Sequence, residues 1–313
     1  MAFRTYLIDE ISRDCAAGAL TRREALRRLG MLGVSGSAAG ALLAAGAGTA
    51  GAAAQYGPEP PDTTTPTASG PPDGPAPVAG TDVVFAGPEG DLLGVFAAAD
   101  DEPRGAVLVI HENRGLTDHI RTIPGRLAAE GFSALAIDLL SREGGTANLG
   151  ADGDPTALLG NAPAERLVAD LRGGLDELAR RVPGAGLGVV GFCFGGAMTW
   201  QLLAAGDERI AAAAPFYGPA PDDPDFSGSP NAAVLAVYAG DDDFVNPTRE
   251  SAVAALEAAG LTHEVLTFEG VGHAFFNDTG RNYDADAAAA AYAALLDWFD
   301  THLGAPGVTA TTA

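Results

Sequence analysis

Six residues, Gly191-Phe192-Cys193-Phe194-Gly195-Gly196, constrain this chain more than any other stretch. They follow a short apolar run, Leu187-Gly188-Val189-Val190, and lead into Ala197–Ala205, which reads as a helix stopped by Gly206. A strand, a sharp turn flanked by glycines and then a helix make the setting of a nucleophile elbow, here with cysteine where serine is usual. Such a turn needs small residues two before and two after the nucleophile. A side chain at Gly191 or Gly195 would clash where strand and helix nearly touch. The turn residue itself is predicted to occupy a strained region of backbone space. A cysteine in a glycine-rich turn can also be a small buried hydrophobe and nothing more. The reactive reading therefore depends on whether the rest of the chain supplies partners for a thiol.

Composition narrows the field. The chain has 313 residues, 47% of them hydrophobic and 7% aromatic, enough to bury a substantial core. Its formal net charge is −23, and all 18 basic residues are arginines. Such an acidic chain repels phosphate backbones, which argues against a nucleic-acid partner. The two cysteines are Cys15 and Cys193, so loss of the N-terminus would leave one thiol and no intramolecular disulfide.

Residues 1–54 read as an export signal. Thr21-Arg22-Arg23-Glu24-Ala25-Leu26-Arg27 resembles the twin-arginine pattern and precedes a weakly hydrophobic, uncharged run from Leu29 to Ala54. Ala52-Ala53-Ala54 and Gly48-Thr49-Ala50 both qualify as small-residue cleavage sites. An uncleaved anchor or an amphipathic N-terminal helix is the alternative. A run this poor in Leu, Ile and Phe should not hold a bilayer firmly, so no stable membrane span is expected after signal removal. The product would be periplasmic, extracytoplasmic or secreted, and a monomer is expected. Residues 55–80, rich in Pro, Thr and Gly, read as a disordered linker, and 304–313 as a disordered tail.

Between them, residues 81–303 read as one domain. Thr81–Phe85 and Leu92–Phe96 make an antiparallel hairpin across Gly87-Pro88-Glu89-Gly90. Strands are then predicted at Ala106–Ile110, Ser133–Ile137, Leu187–Val190, Ile210–Phe216, Ala232–Ala239 and His263–Phe268. Helices are predicted over Thr117–Glu130, Ala164–Arg181, Ala197–Ala205, Thr248–Ala259 and Ala285–Leu303, with Ser141–Asn161 and Pro219–Pro230 as loops. This alternation argues for an α/β fold, its mostly parallel sheet covered by helices on both faces.

Sheets of this kind place function in loops beyond the carboxyl ends of their strands. One such loop is Gly240-Asp241-Asp242-Asp243-Phe244-Val245, and another, after the last strand, carries Gly272-His273-Ala274-Phe275. The chain order is therefore nucleophile, acid, histidine. A thiol near its free pKa is mostly protonated at neutral pH and needs a base. A carboxylate then fixes the imidazole's tautomer and stabilises the imidazolium. Of five histidines, His273 alone lies in a glycine-flanked loop after a strand near the C-terminus. His263 and His302 read as surface residues, and His111 and His119 remain candidates for a pocket. Asp242 is preferred as the acid over Asp241 and Asp243. The acidic triplet lacks calcium-loop spacing, and no His/Cys grouping has zinc-ligand spacing, so neither metal nor cofactor is expected.

With a fourth segment, His111-Glu112-Asn113-Arg114-Gly115-Leu116, these motifs resemble the dienelactone hydrolase (carboxymethylenebutenolidase) family of α/β-hydrolases, from about Thr81 to Leu303. The resemblance implies a Cys193–His273–Asp242 triad and a Glu112 that touches the thiol and helps deprotonate it when substrate binds. It implies an oxyanion hole from the backbone N–H groups of Phe194 and Asn113, and Arg142 as a clamp for a substrate carboxylate. Dienelactone-specific members carry a second arginine after the histidine, near the position of Asn277 here. The expected reaction is hydrolysis of a small-molecule ester or lactone through an acyl-thioester. Thioester or peptide cleavage on the same triad, a thiol redox protein and a silent binding protein are the rivals. The redox protein would need a resolving cysteine, and the silent one a lost triad member.

Overall fold

Short apolar runs in this chain pair edge to edge, and longer amphipathic runs cover the resulting sheet. The computed structural model describes residues 3–16, 20–45, 75–150 and 153–304. Most of the linker, the two cleavage motifs near residue 50 and nearly all of the C-terminal tail lie outside the described residues. The sheet comprises β1 (Thr81–Gly87), β2 (Gly90–Ala97), β3 (Gly105–Ile110), β4 (Phe132–Asp138), β5 (Leu187–Phe192), β6 (Ile210–Phe216), β7 (Ala233–Ala239) and β8 (His263–Phe268). Their spatial order is β1-β2-β4-β3-β5-β6-β7-β8. The β1–β2 hairpin is antiparallel and β2 joins β4 antiparallel, whereas every pairing from β4 to β8 is parallel.

Both faces are covered, as a mainly parallel sheet requires. Strand side chains alternate between faces. On β3, Leu108 meets Gly174 of α6 (Ala164–Arg181), while Gly105, of opposite parity, meets Leu303 of α9 (Ala285–Leu303). Helix α7 (Phe194–Ala205) packs beside α6. Helix α4 (Asp118–Ala129) brings Arg126 and the following Glu130 near Tyr292 of α9. Helix α8 (Arg249–Ala258) links β7 to β8.

The expected elements form close to their predicted bounds, with one correction. Ser141–Asn161, read as a loop, contains a helix, α5 (Pro155–Asn161). Its start signal is local: Asp154 caps it through a 3.2 Å bond from the Ala157 N–H, and Pro155 takes the first turn, where a missing N–H costs nothing.

The N-terminal segment is helical where described, as α1 (Phe3–Ala16), α2 (Arg22–Met31) and α3 (Gly36–Ala45). Thr21 caps α2, accepting from the Glu24 N–H at 3.2 Å. Leu7, Ile11, Leu29, Leu32 and Leu43 are buried, and α1 lies against α5. The Arg28 Nε is 3.3 Å from the Asp154 carboxylate, and the Asn161 side chain donates to the Met31 carbonyl at 2.9 Å. Arg22 and Arg23 stay exposed. Among the described residues no helix is long and apolar enough to cross a membrane.

A side chain at Gly160 would overlap Leu7 and press on Leu32. Overpacking of that kind costs about 1–3 kcal/mol. Gly160→Leu is therefore expected to speed tryptic cleavage at Arg22–Arg28 while a fragment containing the sheet survives. Unchanged digestion would mean that α1 and α2 do not rest on α5.

Candidate active site

The site grows out of the turn between β5 and α7. Cys193 has φ 55° and ψ −111°, a conformation that a residue with a side chain holds only when its surroundings impose it. The Cys193 N–H donates to the Phe216 carbonyl of β6 at 3.0 Å, and its carbonyl accepts from the Ala197 N–H at 3.0 Å. A Cβ on Gly191 would overlap the Gly195 carbonyl and the Thr199 hydroxyl. One on Gly195 would overlap the carbonyls of Ile110 and His111, and one on Gly196 the Phe216 carbonyl and the backbone N of Gly218. Three missing side chains thus let α7 sit directly on the ends of β3, β5 and β6. The thiol is held at the carboxyl edge of the sheet, 4% exposed, against the loop that follows β3.

The loops after β7 and β8 meet there. Asp242 is fully buried, with Asp241 and Asp243 exposed on either side of it. One Asp242 oxygen accepts from the N–H groups of Phe244 (3.3 Å) and Val245 (3.2 Å). The other lies 2.6 Å from the Nδ1 of His273. With Nδ1 committed to Asp242, the opposite edge of the ring interacts with Cys193. Burial disfavours a charged imidazole, but the Cys193 and Asp242 charges outweigh it and raise the His273 pKa well above the usual range. Burial also disfavours the Asp242 carboxylate, and the same imidazole and the two backbone donors lower its pKa nonetheless.

Glu112 is the fourth member of the cluster. His111 fixes its backbone: the Leu139 N–H donates to His111 Nε2 at 3.1 Å, so Nδ1 carries the proton and donates to the Glu112 carbonyl at 2.6 Å. Burial lowers the His111 pKa, in keeping with this neutral tautomer. The Glu112 carboxylate accepts from the Asn277 side chain at 2.8 Å. Asp138 ties the neighbouring loop down, accepting from the Thr146 N–H (2.7 Å) and hydroxyl (2.8 Å), while the Thr146 hydroxyl accepts from the Leu116 N–H at 2.9 Å. Phe194 opens α7, so its N–H belongs to the helix end beside the thiol. Asn113 lies on the facing loop, and its carbonyl accepts from the Thr156 hydroxyl at 3.4 Å.

Arg142 has carboxylate partners of its own. Its guanidinium is spent on ion pairs with the buried Asp170, at 2.6 Å, and with Glu89 of the β1–β2 turn. These bonds raise its pKa, Asp170 foremost. These two carboxylates tie Arg142 to α6 and to the β1–β2 hairpin.

The sequence did not single out Tyr217. It follows β6 at φ 35°, is fully buried, and packs edge-on against His273 with ring centroids 5.2 Å apart. Burial raises its phenol pKa, and the charges of Glu112 and Cys193 add to the rise, which puts all three groups together. Its position just past a strand beside the elbow strand was the available signal. His119 lies behind the site: its Nδ1 is 2.7 Å from Asp278, which also pairs with Arg126. Among the described residues no cluster of His, Cys, Asp or Glu side chains is arranged to hold a metal ion.

A mixed eight-stranded, mostly parallel sheet with a strained, glycine-flanked cysteine turn after β5, and an acid and a histidine after β7 and β8, defines an α/β-hydrolase fold. Residues 92–303 match the model of the dienelactone hydrolase family, and the chain belongs to that family. It is 33% identical over 237 residues to the Escherichia coli K12 protein named "Putative carboxymethylenebutenolidase", covering 69% of this chain and 85% of that protein. A Salmonella typhi protein of the same name is 33% identical over 240 residues, 70% of this chain and 86% of its own. The crystal structure of "Putative Dienelactone Hydrolase from Klebsiella pneumoniae subsp. pneumoniae MGH 78578" superposes with a TM-score of 0.62 at 28% identity. That match covers 71% of this chain and 98% of the Klebsiella chain.

Removing the imidazole leaves Asp242 buried without its main counter-charge. His273→Ala is expected to cost about 3–5 kcal/mol near pH 6, read by urea unfolding. Because the folded-state pKa of His273 is raised, its contribution is complete below the ordinary histidine pKa and is lost as pH rises through the folded value. The gap between wild type and variant should therefore narrow in alkaline buffer. A gap that widens there would contradict the pairing.

Proposed function

We propose that this protein hydrolyses a small carboxylic ester or lactone through Cys193, His273 and Asp242. The observation that carries the reading is the His273 ring set between the Asp242 carboxylate, 2.6 Å from Nδ1, and the Cys193 thiol, in a chain of the dienelactone hydrolase family. The lactone comes from the carboxymethylenebutenolidase name borne by relatives 33% identical to this chain.

In this reading the thiol proton passes to His273, and Glu112 assists that transfer as substrate enters. Sγ attacks the carbonyl carbon, and the carbonyl π pair moves onto oxygen, facing the N–H groups of Phe194 and Asn113. Each such donor is worth about 3–4 kcal/mol in the transition state. The tetrahedral adduct collapses with cleavage of the C–O bond, and His273 protonates the departing alkoxide. An acyl-thioester remains. His273, oriented by Asp242, then takes a proton from water, which attacks the thioester carbonyl. The carboxylic acid leaves and the thiol is restored. Neither metal nor cofactor enters the scheme.

Cys193→Ala is expected to reduce turnover of enol-lactones and activated esters by about 10⁴-fold or more. Substantial activity surviving that change would sink the mechanism.

We further propose export by the twin-arginine route, to a periplasmic or other extracytoplasmic location. Support comes from Thr21-Arg22-Arg23-Glu24-Ala25-Leu26-Arg27, with both central arginines exposed at the start of α2. A second reading, that α1–α3 stay with the mature enzyme, is favoured by the full burial of Leu7, Leu29 and Leu32. Replacing Arg22 and Arg23 with Lys should trap precursor in the cytoplasm. Normal release, with a mature N-terminus that still contains α1, would instead favour the second reading.

A further inference from the structure

We propose that Asn277 is a positioning residue that holds Glu112 beside the thiol through a neutral hydrogen bond. The inference rests on the reading above in which Glu112 assists Cys193.

Three observations on different atoms support it. The Asn277 side chain is 4% exposed, and its Nδ2 donates to a Glu112 oxygen at 2.8 Å. Its Oδ1 is already taken, accepting from the Thr279 N–H at 3.0 Å and the Thr279 hydroxyl at 2.7 Å. A flipped amide would face its oxygen to the carboxylate and its NH₂ to the Thr279 N–H, losing both of those bonds and leaving only the Thr279 hydroxyl able to turn and accept. The orientation is therefore forced. Finally, the segment is anchored on both sides. The Asn277 N–H donates to the Ala274 carbonyl at 3.0 Å, one residue past His273. Asp278 is pinned to α4 by His119 and Arg126. One short loop thus carries the imidazole and sets the carboxylate.

The choice of donor matters chemically. A cation at position 277 would offset the Glu112 charge and hold the carboxylate in an ion pair. An amide stabilises the ionised carboxylate without cancelling its charge, so Glu112 keeps both its place and its capacity to accept a proton. The titratable and charged groups around it are Cys193 and His273 on the elbow and the last loop, and Tyr217 beyond β6. On its own loop they are His111 and Arg114, and behind Asn277 lies the His119–Asp278–Arg126 set.

The test is the pH dependence of Cys193 alkylation by iodoacetamide, with kcat/KM for an enol-lactone as the second readout. Asn277→Asp places a second carboxylate against Glu112, and the two must share a proton. The acid limb of both profiles is expected to move up by about one pH unit or more, a roughly tenfold loss at the foot of the limb. Asn277→Ala should move it in the same direction by less. The paired exchange Glu112→Gln with Asn277→Asp keeps the side-chain atoms and reverses the direction of donation. That variant is expected to melt like wild type and react like Glu112→Gln alone. Recovery of wild-type reactivity in it would overturn the proposal, since packing would then suffice. Wild-type profiles in both single Asn277 variants, with an altered profile in Glu112→Gln, would overturn the proposal and leave the role of Glu112 intact. An unaltered profile in Glu112→Gln would overturn both.

Discussion

The contact between the start of α7 and the ends of β3, β5 and β6 is where the rest of the molecule takes its bearings. Gly191, Gly195 and Gly196 let backbone lie on backbone there, and any Cβ would push the helix away from the sheet. A helix seated this closely forces Cys193 into positive φ and projects it beyond the sheet edge. The strain is offset by the surrounding order, including the bond from the Cys193 N–H to the neighbouring strand. The parallel strands then deliver the loops after β3, β7 and β8 to the same edge. The cluster of Cys193, His273, Asp242 and Glu112 follows from that topology.

Electrostatically the cluster is a set of buried charges that are stable only together. Asp242 is fully buried and stays ionised because two backbone N–H groups and an imidazole attend it. His273 gains protons because a carboxylate and a thiol flank it. Glu112 accepts from the Asn277 amide. Burial keeps these groups in a low dielectric, where each depends strongly on its neighbours. Tyr217 and His111 close off the sides, one by its ring and one by a neutral tautomer held between two backbone groups.

Outside the cluster, charged side chains tie the loops to the sheet and helices. Arg142 joins the hairpin to α6 through Glu89 and Asp170. Asp138, in the same segment, organises the 138–146 loop around Thr146 and so supports the loop that carries Glu112 and Asn113. At the other end of that region α5 receives α1 and α2, so the N-terminal helices reach the flank of the site through Asp154 and Thr156.

Much of this was legible in residue order alone. Short apolar runs marked the strands and helical spacing marked the principal helices, because strands buried on both faces read as continuous apolar runs and half-buried helices as period-3.6 repeats. The Cys193 turn, the Asp242 loop and the His273 loop were readable because their chemistry needs particular residue types at strand ends. Helix α5 was missed because its capping signal, Asp154-Pro155, lies in a polar stretch with little apolar periodicity. The pairing of Arg142 could not be read, since Glu89 and Asp170 are distant in the chain and meet it only when β2 folds against β4. The same holds for Tyr217 and for Asn277, whose partner Glu112 is 165 residues away. Sequence by itself determined the fold and the three groups of the candidate triad, because local sterics and periodicity act along the chain. Tertiary structure alone decided which carboxylates Arg142 meets. It also decided what holds Glu112, because those outcomes depend on long-range approach in a buried, low-dielectric space.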